Sequence, residues 1–165
     1  SFSGTIPALY LTALGYTSGA NQKQPVVIYN TDSSANAIRI MSLPKVFMVT
    51  GVKFVSFVSD GMVFRNCGYV LLESCSTLGA TSKVGVTATE NCFLWARRHS
   101  FRNINFALLA NVNASIVSQD CSTFSTVLIG LVADFGGTVK KASATQPTGS
   151  TANEYAVTSR GGQII

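Results

Sequence analysis

The sequence predicts an all-β chain wound as a right-handed parallel β-helix, with about 4–5 coils of roughly 21–24 residues and irregular N- and C-terminal caps. Three observations lead there. Apolar segments recur at a near-constant spacing through the middle of the chain. Each is short, rich in Val, Ile, Leu or Phe, and closed by Gly, Asn, Ser or Asp, which is how strands and their turns are written. Charged residues make up only 12% of the chain against 47% apolar ones, which suits a surface partly covered by partner subunits better than a solitary, highly charged enzyme.

Residues 1–36 form an expected N-terminal cap. Thr5 to Gly15 fits two readings: a short helix opened by Ser3 or Thr5 with Pro7 in its first turn, or a strand alternating at Leu9, Leu11 and Ala13. Pro25 to Tyr29 reads as a strand, since proline is tolerated at a strand's first position. Either element would cover the open edge of the first coil.

Residues 37–137 are the expected helix. A longer segment type appears as Lys45 to Phe57, Asn66 to Leu78, Asn91 to Phe101 and Asn111 to Phe124. Its closing residues Phe57, Leu78, Phe101 and Phe124 are expected to align in one column. Between these copies lies a shorter strand, at Ala37–Met41, Gly61–Phe64, Val84–Ala88, Phe106–Ala110 and Leu128–Ala133. A repeat this short has no room for a helical pair, which takes about 33–47 residues. It suits two or three strands with tight corners, each coil rising one strand spacing of about 4.8 Å. Right-handedness follows from the general hand of parallel crossovers. Asn66, Asn91 and Asn111 recur near one corner, where asparagine tolerates a left-handed backbone.

Residues 138–165 are polar and rich in Ser, Thr, Gly and Ala, an expected linker with a last strand near Tyr155–Thr158 and a place for trimer contact. The chain starts at Ser1 without a signal-peptide pattern, so it is read as processed or as part of something longer, and no run is long enough to insert in a membrane as a helix.

The four cysteines, Cys67, Cys75, Cys92 and Cys121, lack CxxC spacing, and with a single histidine they do not suggest a metal site. They read as reduced and buried. Cys67 and Cys92 fall at matching places in adjacent coils, where stacked thiols are preferred to a disulfide. Net charge is +5. Apart from Arg97-Arg98-His99 with Arg102 the basic residues are scattered, so no nucleic-acid partner is expected.

No P-loop, GxGxxG, GxSxG or HExxH motif is present, and no cofactor is expected. Glycoside cleavage needs two carboxyl groups, about 5–5.5 Å apart or about 6.5–9.5 Å apart. The weak candidates are Glu73 and Asp120, two coils apart with Arg97 between them. The more suggestive group is Phe93, Trp95, Arg97 and Arg102. On a strand Phe93, Trp95 and Arg97 share a side, and if Leu94 and Ala96 point inward that side faces out. Aromatic rings beside a cation suit a subunit interface or a sugar ring. The opposite register would put Trp95 in the core.

The runs Gly61–Leu78, Val84–Phe101 and Phe106–Phe124, followed by the Ser/Thr/Gly-rich tail, resemble the β-helical shafts of bacteriophage tail fibres and tailspikes. The resemblance spans about 100 residues and carries no diagnostic motif. It implies a homotrimer in the virion tail, assembled in the host cytoplasm beside other tail proteins and attaching to host surface polysaccharide. It also leaves room for a polysaccharide depolymerase, while a bacterial surface adhesin and a jelly-roll sandwich remain competing readings. The coil pattern is similar to pectate lyases too, but their clustered calcium-binding Asp residues have no match here.

Overall fold

The structure, a computed structural model, describes residues 8–12, 26–30, 38–43, 46–56, 60–79 and 84–165. Its strands come three to a coil. The first coil holds β1 (Ala8–Thr12), β2 (Val26–Asn30) and β3 (Ile38–Met41), and the second β4 (Val46–Thr50), β5 (Val52–Ser56) and β6 (Met62–Arg65). The third holds β7 (Tyr69–Glu73), β8 (Ser76–Gly79) and β9 (Val84–Thr89), and the fourth β10 (Phe93–Arg97), β11 (Ser100–Arg102) and β12 (Ile104–Ala110). The fifth holds β13 (Ser115–Gln119), β14 (Ser122–Thr123) and β15 (Val127–Ala133), and above it lie β16 (Thr138–Lys141), β17 (Ala152–Ala156) and β18 (Gln163–Ile164).

Every pairing between these strands is parallel and joins one coil to the next. The result is a β-solenoid of about five turns with three faces. Sheet A runs β1-β4-β7-β10-β13-β16-β18, sheet B β2-β5-β8-β11-β14, and sheet C β3-β6-β9-β12-β15-β17. The β-helix expected from the repeat is therefore the fold. The parallel stack continues outside 37–137: β1 and β2 pair onto β4 and β5, and β16, β17 and β18 extend sheets A and C. Of the two readings for Thr5 to Gly15, the strand holds at Ala8–Thr12; the flanking residues lie outside the described ones.

The period survives because each coil closes one core. Inward positions stack over inward positions: Phe47 on Val70, and Val49, Leu72, Ala96 and Ser118 in series, all 0–2% exposed. Such columns bury apolar surface only when neighbouring coils are present, which is why the coils fold as a stack.

The expected column of closing apolar residues is not there. Phe57 lies outside the described residues. Leu78 pairs with Val55 below and Arg102 above, on the outer side, while Phe101 pairs with Thr77 and Thr123. Phe124 is 72% exposed. The inward column is Phe54–Thr77–Phe101–Thr123, large and small in turn. Thr77 takes the inside place that Leu78 was expected to fill because its hydroxyl has a partner there, His99 Nε2 at 2.9 Å. A slip of one residue in a strand moves a side chain to the other face.

The corners that enter and leave sheet A are left-handed. Between sheets A and B, Gly51, Ser74, Arg98 and Asp120 all have φ between 51° and 68°. Between sheets C and A, Asn66 (50°) and Asn91 (60°) do so as expected, but Asn111 does not; Val112 (46°) and Asn113 (58°) take the turn there. Asn111 instead accepts the Val112 amide on its Oδ1 at 2.9 Å. A β-branched residue in this region is strained by about 1–2 kcal/mol, and Val112 is 39% exposed, so it gains little packing in return. Val112→Gly is expected to raise stability by about 1 kcal/mol and Tm by about 2–4 °C, read by thermal melting.

All four cysteines are free and buried. Cys67 and Cys92 sit at the C-to-A corner, and Cys75, His99 and Cys121 lie one above another at the A-to-B corner, immediately before the paired Ser76, Ser100 and Ser122. Burial pushes the Cys75 and Cys121 thiols up to about 12 and about 11, which keeps them protonated and inert.

Candidate functional site

The outer side of sheet A is where the sequence candidates meet. Leu94 and Ala96 are 0% exposed in the core, so Phe93, Trp95 and Arg97 point outward. Trp95 stacks over Leu71 and under Val117, and Leu71 stacks over Met48. Beside this column, Tyr69 lies in register with Val46, and its ring stacks against Phe93 with centroids 5.4 Å apart and planes 19° from parallel. These apolar side chains are half-buried, and no further strand layer covers them among the described residues. Trp95 Nε1 is fully covered yet has no hydrogen-bond partner among the described residues.

Arg102 does not belong to this group. It lies on β11, on the outer side of sheet B, and its Nε donates to Ser125 Oγ at 3.3 Å. The corner at Arg98 turns the chain between Arg97 and Arg102, and the sequence pattern did not mark that corner. Tyr69, Leu71 and Met48 were the residues missed. Their signal was present in the alternation of Tyr69-Val70-Leu71-Leu72-Glu73, where Val70 and Leu72 take the core.

At the edge of the same face Glu73 is held by two arginines. Arg98 donates to its Oε1 through Nε at 2.8 Å and again through a terminal nitrogen, and Arg97 Nε lies 3.7 Å from its Oε2. In register, Arg97 lies directly above Glu73 and below Gln119. Asp120 follows Gln119, so it stands two coils from Glu73, roughly 10 Å along the stack, with the arginines between. Its backbone amide donates to Ser143 Oγ at 2.6 Å, and its side chain is at the exposed corner. Both carboxylate oxygens of Glu73 are thus already engaged by guanidinium groups rather than open to a substrate. The arginines also take the place between the pair where a sugar would have to lie.

His99 is fully buried, and its ring stacks on Phe101 at 4.5 Å. Burial drives its pKa down to about 3, so it is neutral at physiological pH. It has no path to a substrate and belongs to the core. Among the described residues no group of three His, Cys, Asp or Glu is placed to hold a metal ion, and no helix is long and apolar enough to cross a membrane.

What sheet A presents is therefore an aromatic and aliphatic surface, two columns wide, bordered by a guanidinium-rich edge. Such a surface can bury against a flat apolar partner or stack against a ring. Compared with models of known families, with curated proteins and with solved structures, the chain matches none.

Proposed function

We propose that the chain is a structural and adhesive solenoid, a segment of a phage tail fibre or tailspike that packs as a homotrimer beside other tail proteins and attaches to host surface polysaccharide. One observation carries this reading: the outer side of sheet A presents half-buried Met48, Leu71, Trp95, Tyr69 and Phe93 as neighbouring apolar columns, while the core behind it is already filled. Apolar patches of this kind, rimmed by polar residues, are characteristic of interaction surfaces. The arginines at its edge suit an anionic group on a partner or glycan. A depolymerase draws less support, because Glu73 is engaged by Arg97 and Arg98.

The mass of the assembled protein by light scattering tests the reading. The expected result is three times the chain mass of 17.4 kDa. Leu71→Ser with Trp95→Ser is expected to give a folded monomer with an unchanged far-UV circular dichroism spectrum. A monomeric wild type, or a trimer untouched by this pair of substitutions, overturns it.

A further inference from the structure

Cys67 and Cys92 meet inside the corner that leads from sheet C into sheet A. The Phe93 amide donates to the Cys67 carbonyl at 3.4 Å, which sets Cys92 directly above Cys67 in the next coil. Both residues are 1% exposed and belong to the core cluster. Their thiols are hydrogen-bonded to each other, and Cys67 Sγ also donates to the Arg65 carbonyl at 3.4 Å. Neighbouring strands lie about 4.8 Å apart, and a disulfide spans Cα separations of about 4.4–6.8 Å. Of the four cysteines, only this pair is so placed. Cys75 and Cys121 lie two coils apart with His99 between them, and the length of β7 or β10 separates them from the corner that holds Cys67 and Cys92.

We propose that Cys67 and Cys92 are a redox-closed staple, two thiols in the reduced chain and a disulfide that ties the third coil to the fourth once a peroxide reaches them. The hydrogen bond between the thiols lowers the pKa of Cys67 and raises that of Cys92, so Cys67 supplies the thiolate. That thiolate attacks one oxygen of hydrogen peroxide. The O–O bond breaks, hydroxide leaves, and Cys67 becomes a sulfenic acid. The Cys92 sulfur then attacks the Cys67 sulfur. An S–S bond forms, the S–O bond breaks, and the hydroxyl departs with the Cys92 proton as water. Two thiols and one peroxide thus give one disulfide and two waters. The path inward is short, because Asn66, Gly68 and Asn91, which flank the two cysteines in the chain, are all exposed. Cys75 and Cys121, whose thiols burial keeps protonated, have no such partner. The staple sits where β7 and β10 begin. Tyr69 and Phe93 follow it and stack on each other, so closing it fixes the register of the two coils that carry Leu71 and Trp95. The inference does not rest on the proposed function, since the thiols lie inside the solenoid and a monomer would close them equally.

The experiment treats the full chain with a small molar excess of hydrogen peroxide and compares it with protein reduced by dithiothreitol. Thiol titration in denaturant is expected to fall from four per chain to two, and tandem mass spectrometry of peptides is expected to place the bond between Cys67 and Cys92. The urea midpoint is expected to rise by about 1–2 M, because a loop of one coil is closed in the unfolded chain. Dithiothreitol is expected to reverse both changes. Cys92→Ser is expected to show neither the bond nor the rise. If it does not fold, Cys92→Ala replaces it, and the bond mapped in wild type is read without either. Four thiols surviving peroxide overturn the inference, as does a bond that uses Cys75 or Cys121 or joins two chains. So does Cys67 halted as a sulfinic acid, a disulfide that leaves the urea midpoint unmoved, or a rise that persists in the Cys92 variant.

Discussion

Phe101→Ala is expected to remove about 3–5 kcal/mol of folding stability, a large part of the roughly 5–15 kcal/mol typical of a domain. Phe101 is 0% exposed, stacks on His99, and lies between Thr77 and Thr123 in its column. Two small neighbours above and below leave nothing that can relax into the space, so most of the ring's volume becomes a cavity. Leu78→Ala, one coil below but on the outer side, is expected to cost under about 1 kcal/mol. Urea unfolding of both variants reads the difference directly. Equal losses would mean that the inside and outside of β8 and β11 are assigned wrongly.

Mild acid is expected to destabilise the protein through His99. In the unfolded chain His99 binds a proton below its ordinary value of 6.5; in the folded chain burial holds it neutral down to about 3. Between those values the unfolded state binds more protons, so stability is full above 6.5 and is lost as pH falls. The loss is about 2 kcal/mol by pH 5 and on the order of 4 kcal/mol near pH 3. His99→Gln keeps a polar group for Thr77 but cannot charge. It is expected to flatten the dependence between pH 7 and 5, measured as the urea midpoint. A wild type whose midpoint is constant over that window would contradict the burial of His99.

The fold was legible because a solenoid repeats its physics. Each coil needs the same short apolar strands and the same corners, so Ala37–Met41, Gly61–Phe64, Val84–Ala88, Phe106–Ala110 and Leu128–Ala133 announced themselves as one series, which the structure places at β3, β6, β9, β12 and β15. The register was harder to read. Thr77 and Ser118 are polar residues that lie inside, and Leu78 and Phe124 are apolar residues that do not, so apolarity alone places the columns one residue out. The last coil was obscured for a related reason. Val139, Ala156 and Ile164 continue the core there, but they stand beside Lys141 and Glu154 in a polar stretch that does not look like a coil. Of the candidate surface, Phe93, Trp95 and Arg97 followed from strand alternation. Arg102 was grouped with them because the left-handed turn at Arg98 leaves no glycine or proline in the sequence to announce it.

The central claim is that successive coils lie one above another in parallel register, and distances along one outer column test it most directly. Arg39, Val63, Thr87, Leu109, Val132 and Tyr155 form such a column on sheet C. Spin labels at Arg39 and Tyr155, diluted with unlabelled protein, are expected to lie about 24 Å apart, and labels at Val63 and Tyr155 about 19 Å apart, one strand spacing less. Separations that fail to shrink by a strand spacing from the first pair to the second would contradict the stack.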